Sequence, residues 1–552
     1  MFNQSSPFFK RSRIIAEEFL QTTVIVDDQA YFGDEKSILE TRPPTPIDLK
    51  PPGRGSGGSS DKEALAGSEE ALVLPPYAIG SHRLNAQKVI NSFAQKRIVC
   101  SVIRPSDDDD NDWITSLENL ASSADILIID WDIRDDNGKN ALNILEQISR
   151  SAIDSPAQLR LFVIYTGSPR IAEIVKEIKA ELEDRLEVTI EEQDDGFSLT
   201  FNSTRIVVFA KPDTSNLPPE YDHRKVSFEN LAERVTSEFA VMTAGLVSNV
   251  VIKSLALVRK NTYKMINKFS IHLDAPYLTH RSLQMNPEDA EDLLTALIGE
   301  ELRAILEEGY IGGEANMEAI KDWLSSSSDT DLTLSLPQSK RFSQQEVISL
   351  LEDGMEKWNG ISNTQKNKVH RLPFTEMFNL KSVGSQSLDE KFALITTVRS
   401  YYENRIPYLM FGTILQEVKS SDYWICIQPR CDCIRITSKR VFPFLSLEIS
   451  QGDKRFNIVL EENGEHIKLV LNDKPYDLKL ITFAPRVQDK GTIKARSENA
   501  SYFFINTGRK KYRWVGELRP EHAQRLANEF AANLSRVGLD ESEWLRLWAT
   551  KG

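Results

Sequence analysis

Four cysteines in 552 residues, Cys100, Cys426, Cys431 and Cys433, are too few for a disulfide framework. Histidine is nearly as scarce, and its seven copies fall in no phosphorelay or metal motif. There is no Walker loop, no glycine-rich dinucleotide fingerprint after a strand, no helix-turn-helix pattern and no internal repeat. Positive charge is in deficit: the net charge of −14 argues against general binding to nucleic acid or to an anionic membrane. The opening MFNQSSPFFKRSR lacks the apolar core and small-residue cleavage site of a signal peptide, so a cytoplasmic protein is expected. Long apolar runs are also missing. The nearest, 239–258, has the length of a membrane span but carries Ser248, Asn249 and Lys253, and Glu233 and Glu238 lie just upstream. It is expected to be a buried core or dimer helix.

What is present is an alternation. A hydrophobic content of 40% in a chain this long calls for roughly two to four cores. Short apolar runs, TTVIV at 22–26, 98–103, ILII at 126–129, 161–165 and 206–209, alternate with amphipathic stretches at 85–95, 113–122, 141–148 and 170–183, and a long helix is expected from Ser227. Five strands separated by helices predict an α/β fold of the doubly wound (βα)5, flavodoxin-like kind. A short helical lead is expected over 12–20. Residues ~33–82, rich in Pro, Gly, Ser and charge, predict a disordered insertion after the first strand. Residues ~186–203, with Asp-Asp-Gly at 194–196, predict an inserted hairpin. The expected domains are 1–240, a helical region over 241–417, and a mixed β-rich α+β domain over 418–552 ending in two helices, 520–534 and 541–549.

Five polar residues stand at the carboxyl ends of the apolar runs: Asp27 and Asp28, Asp130, Thr166, and Lys211. In an open parallel sheet the ligand crevice lies at those ends, where the strand order reverses. The fold would therefore gather three carboxylates, a hydroxyl and an ammonium. That set suits a Mg²⁺ ion, which takes oxygen ligands, and a phosphoryl group attacked by an aspartate. Asp27, Asp28 and Asp130 are the candidate metal ligands, with the backbone carbonyl of Asp132 from the loop WDIRDDNG. Gly138 would let that loop turn into the next helix. Lys211, held extended by Pro212, and Thr166 would meet the phosphoryl oxygens.

With all five positions filled in order, residues 20–240 resemble the response-regulator receiver domain of two-component signalling. The resemblance implies that Asp130 is the phosphoacceptor, that Asp27 and Asp28 bind Mg²⁺, and that Thr166 and Lys211 sense and neutralise the phosphoryl group. It also implies a sensor histidine kinase as partner. Two positions depart from the family. Arg134 replaces the usual proline of the phosphoacceptor loop, and Val208 holds the usual aromatic-switch position, with Phe209 one place later. More loosely, the ending RWVGELRPEHAQRLANEFAANLSRVGLDESEWLRL resembles the receiver-bearing, effector-free component of Detocs-type phage-defence systems, which implies an effector protein of the same operon.

The expected function is thus a phosphoacceptor with output through protein contacts, a homodimer among them, or through phosphate buffering. Its own chemistry would be limited to self-phosphorylation and dephosphorylation. The alternatives are a receiver-controlled enzyme with an unrecognised C-terminal catalytic domain, and a degenerate scaffold. Intact Asp130 and Lys211 oppose the scaffold. Two further features remain. Cys426, Cys431 and Cys433, with His466 or His522, offer thiols for zinc, although C-x4-C-x-C within strand-like sequence fits core packing better. Arg509, Lys510, Lys511 and Arg513 form a basic turn that is either a solvated hairpin tip or a docking site for an acidic partner or nucleotide.

Overall fold

The computed structural model describes residues 4–32, 83–105, 112–153, 159–287, 289–326, 332–334, 340–361, 374–378, 385–402, 405–451, 456–472, 474–499, 501–534, 544 and 548. The insertion expected over ~33–82 lies outside these residues, and of the second terminal helix expected over 541–549 only Trp544 and Trp548 are described, both helical. The chain divides into two compact units, Met1–Ser328 and Asp329–Gly552, so the helices expected over 241–417 fall on both sides of that boundary.

In the first unit, α1 (Pro7–Phe19) precedes β1 (Thr22–Val26), and α2 (Ala86–Gln95) leads into β2 (Val99–Ile103). Then follow α3 (Asp112–Ser123), β3 (Ile126–Ile129), α4 (Lys139–Ile153), β4 (Arg160–Thr166) and α5 (Ile171–Leu186). Three strands complete the sheet: β5 (Glu191–Glu192), β6 (Ser198–Phe201) and β7 (Thr204–Ala210). The order is β2-β1-β3-β4-β7-β6-β5, with β1, β2, β3, β4 and β7 parallel. This is the doubly wound α/β sheet that the alternation predicts.

Every position of β3, β4 and β7 is buried, because helices cover both faces. Along each strand the side chains alternate between two cores. Val24, Val26, Leu127, Ile129, Ile164 and Val208 pack under α3, α4 and α5, whereas Ile25, Ile128, Val163, Tyr165 and Phe209 pack under α1, α2 and α6 (Leu231–Thr243).

Two local expectations fail here for physical reasons. The hairpin strand expected over 186–190 is the end of α5 and its exit. Leu182, Leu186 and Ile190 continue one buried apolar face, and the hairpin reduces to β5 and β6. The long helix expected from Ser227 is a short turn at Phe228–Asn230, then α6, then α7 (Leu246–Lys268). It breaks where Ala244 and Gly245 leave helical geometry. No described helix is long and apolar enough to cross a membrane. Helices α8 (Asp274–Leu283), α9 (Asp289–Glu308) and α10 (Met317–Ser326) complete the unit.

The second unit has a small pair of strands, β8 (Leu332–Leu334) and β9 (Lys340–Phe342). Helices α11 (Gln344–Lys357), α12 (Phe374–Phe378) and α13 (Ser385–Thr397) follow. Its sheet has nine strands and antiparallel pairing: β10 (Thr413–Glu417), β11 (Tyr423–Cys426), β12 (Arg440–Ile449), β13 (Ile458–Glu462), β14 (Glu465–Leu471), β15 (Lys479–Phe483), β16 (Arg496–Glu498), β17 (Ser501–Ile505) and β18 (Lys511–Glu517). Residues 413–417, expected to be helical, are therefore the strand β10, placed between β11 and β18. Helix α14 (Pro520–Leu534) lays Ala523, Leu526 and Phe530 on one face of this sheet, as its periodicity predicts.

Candidate phosphoacceptor and metal site

The strand order of the first unit reverses between β1 and β3, and both strands end in aspartate. The crevice there holds Asp27 (1% exposed), Asp130 (7%) and Lys211 (0%). Lys211 Nζ donates to Asp27 Oδ2 and to Asp130 Oδ2, both at 2.7 Å. Parallel pairing of β4 with β7 sets Thr166 beside Ala210, so Lys211 follows directly, and its N–H donates to Thr166 O at 2.8 Å. Thr166 is itself buried, and its Oγ1 accepts the N–H of Ser168 at 3.0 Å. All five residues singled out from the sequence thus meet at one end of the sheet.

Three carboxylates against one ammonium leave a surplus of negative charge. One ligand oxygen each from Asp27, Asp28 and Asp130 lie within 4.8 Å of one another, the only such group among the described residues. Burial is the largest influence on Asp130 and lifts its carboxyl from the usual range to about 7. Lys211 opposes the lift, and Asp27 and Asp28 add to it. Asp28 is also raised, again first by burial. Its Oδ2 accepts the N–H of Arg134 at 2.9 Å, whereas its buried Oδ1 has no protein partner. A buried carboxylate oxygen without a donor, facing two more carboxylates, fits a hard divalent cation.

The loop after Asp130 is tightly wound. Arg134, Asp135, Asn137 and Gly138 all have positive φ, at 61°, 52°, 54° and 90°. A proline, with φ near −65°, cannot occupy the place of Arg134, which explains the departure seen in the sequence. The carboxylate of Asp132 is engaged by the N–H of Asn137 at 2.8 Å and stands outside the three-aspartate cluster. At Gly138 a Cβ would fall 2.2 Å from the ring of buried Trp131, so glycine is required by both conformation and space. Arg170 closes the crevice from the β4 side by donating to Asn137 Oδ1 at 2.8 Å. Sequence reading did not single out Arg170 or Ser168. The only signal was the short Thr-x-Ser spacing after the strand.

The family model of the response receiver domain matches residues 19–216. That segment is a receiver domain. No curated protein and no solved structure matches the chain. A receiver is in general a phosphoacceptor with an acidic Mg²⁺ pocket and a histidine kinase partner, and the aspartate cluster of this receiver sits where such a pocket belongs.

The receiver carries one structural addition, the hairpin of β5 and β6. Its fifth parallel strand, β7, is not an edge, because β6 pairs with it antiparallel. Around this addition Arg205 Nη2 donates to Glu238 Oε2 at 2.7 Å with both side chains buried, and Arg224 Nη2 lies 2.8 Å from Asp195 Oδ2. In place of an aromatic switch, Val208 faces the helices α3–α5 and Phe209 the opposite core. Phe209 is fully buried, with the Arg234 guanidinium carbon 5.3 Å from its ring centre.

The remaining sequence candidates resolve in the second unit. Cys426 and Cys433 are buried and Cys431 is exposed. Burial raises the thiols of Cys426 and Cys433, the latter to about 12. Cys433 Sγ donates to Pro429 O at 3.3 Å, His466 lies 3.1 Å from Glu390, and His522 bonds Asn457 O. These groups are spent on packing and hydrogen bonds, and no zinc cluster forms among the described residues. Three of the four cations of the basic turn are paired: Lys510 with Glu417, Lys511 with Glu498 and Arg513 with Glu462.

Proposed function

We propose that Asp130 accepts a phosphoryl group from the phosphohistidine of a sensor kinase in the cytoplasm. The observation that carries this reading is the double contact of Lys211 with Asp27 and Asp130, at 2.7 Å each, in a buried crevice. An Asp130 oxygen attacks phosphorus, the P–N bond to the kinase imidazole breaks, and the imidazole leaves with its electron pair and takes up a proton. Lys211 moves its ammonium contact from the carboxylate to a phosphoryl oxygen. Thr166 Oγ1, which already accepts the N–H of Ser168, turns its O–H to another. Asp27, Asp28, Asp130 and the backbone carbonyl of Asp132 would hold Mg²⁺. The ion supplies charge neutralisation that lets a carboxylate approach a phosphoryl group.

The buried Phe209 and the covered edge of β7 leave no free aromatic switch to carry the signal, which supports output through contacts elsewhere on the unit, including a second copy of the chain. The resemblance of the chain's ending supports placing the pair in a phage-defence operon with a separate effector. Incubation with a small phosphodonor and intact-mass measurement tests the core of this reading. A Mg²⁺-dependent gain of one phosphoryl mass, absent in Asp130→Asn, is expected. No gain, or a gain that survives the substitution, sinks it.

A further inference from the structure

Most cations of the second unit's sheet are matched. Lys468, Lys479, Lys510, Lys511 and Arg513 each lie against a carboxylate. Around a cavity of about 430 Å³ the pattern changes. Its wall carries Arg399, Arg430 and Arg519, with Ser400, Tyr402 and Glu521. Among the described residues neither Arg430 nor Arg519 has an ion-pair partner, in a chain whose net charge is −14. Arg399 is anchored: Nη1 lies 3.1 Å from Oε1 of the buried Glu517, whose other oxygen accepts the Tyr401 O–H at 2.5 Å.

Three distant parts of the chain bring these arginines together. The isolated bridge Val398–Leu518 sets the Arg399 and Arg519 segments side by side, and Arg430 comes from the turn between β11 and β12. Like charges gathered on one wall raise the local potential, and a planar guanidinium matches a phosphate with two parallel N–H bonds. The remaining walls are selective. Tyr402 is 84% exposed and offers a free aromatic face. The carboxylate of Glu521 would repel a bare phosphate but accepts hydrogen bonds from hydroxyls, which a ribose has. The volume lies within the range of small-ligand sites.

We propose that this cavity of the second unit binds a nucleoside phosphate, the arginines taking the phosphate, Tyr402 the base and Glu521 a ribose hydroxyl. The site goes beyond phosphoryl transfer at Asp130 and is independent of it. The test is calorimetric titration of the full chain with ATP, inorganic phosphate and adenosine in EDTA, which keeps metal away from the aspartate cluster. ATP should saturate one site at least about tenfold more tightly than either fragment. Arg430→Ala with Arg519→Ala should weaken it by about tenfold or more, and both residues are exposed, so the fold is not at stake. Tyr402→Ala should erase the preference for ATP over phosphate. Absent saturation, or binding unchanged in the double variant, overturns the site. Equal binding of inorganic phosphate overturns the nucleoside assignment. Either failure leaves the receiver reading standing, because this assay involves no phosphoryl transfer.

Discussion

Lys211 Nζ lies 2.7 Å from Asp130 Oδ2, and the two reach that distance from strands β7 and β3, which are separated in the sheet by β4. A fully buried ammonium is tolerable only while carboxylates surround it, and Asp27 supplies the second. The pair is thus both a structural brace and a reactive centre. Lys211→Ala should lower the rate of phosphoryl uptake by about 100-fold or more, the scale of losing one preorganised cationic contact. Rapid-quench measurement with a small phosphodonor reads this, and a rate within a few-fold of the parent would remove Lys211 from the chemistry.

The electrostatics of Asp130 predict a pH dependence. Its carboxyl is raised to about 7, against an ordinary value of 3.8. In the metal-free protein the folded state therefore binds the extra proton across that window. The stability it contributes is full below about 4 and is lost as pH rises through about 7. A metal ion must displace the same proton, so Mg²⁺ affinity should fall by up to about tenfold per pH unit below neutrality and level off above it. Calorimetry at pH 6, 7 and 8 in buffers of different ionisation enthalpy measures both the affinity and the released proton. Affinity that does not change over this range contradicts the assignment.

Asp28 offers the sharpest separation of metal binding from folding. Its unpartnered Oδ1 has nothing to lose when the side chain is cut back. Asp28→Ala should weaken Mg²⁺ by at least about tenfold. It should leave the metal-free melting temperature unchanged or raised, because a repelling charge is gone. A variant that unfolds instead would show that the Arg134 N–H contact at 2.9 Å is structural rather than part of a metal pocket.

Gly138 sits at φ +90° against the Trp131 ring. Gly138→Ala should destabilise the first unit by about 1–3 kcal/mol through backbone strain and displacement of the indole. Phosphorylation should slow as the loop shifts. Chemical denaturation followed by tryptophan fluorescence reads the first effect, and an unchanged midpoint would mean the loop is soft.

The sheet and its reactive end were legible because both follow from local patterns. ILII followed by Asp130 needs no partner to be read as a buried strand with a polar terminus. What escaped depends on residues far apart in the chain. Leu186 to Ile190 alternate like a strand but continue the buried face of α5. Residues 413–417 are a strand only because β11 and β18 flank them. The break at Gly245 hides inside an apolar run, where glycine gives little warning. The neutralisation of Lys510, Lys511 and Arg513 rests on Glu417, Glu498 and Glu462, which the sheet brings close. Charge pairing of this kind has no signature in a single stretch of sequence.

The last expectation concerns output. One side of α7 is docked on the receiver: Asn249 Nδ2 donates to Ser12 Oγ at 3.0 Å, and Arg259 pairs with Asp125 at 2.9 Å. The other side exposes Val247 (66%), Val251 (50%) and Leu255 (47%), spaced four residues apart so that they form one stripe. An exposed apolar stripe can be buried against the same stripe of a second copy related by a two-fold axis, and a homodimer through α7 is the outcome expected here. Full-length protein should sediment as a dimer, and Val251→Asp with Leu255→Asp should make it a monomer without lowering phosphoryl uptake at Asp130. Adding beryllofluoride, a phosphoryl mimic, should shift the monomer–dimer balance of the parent and leave the double variant monomeric. A parent that is monomeric with and without the mimic would remove α7 as the output element. Phosphate buffering, which needs no moving surface, would then be the better account of the buried Phe209 and the covered strand edge.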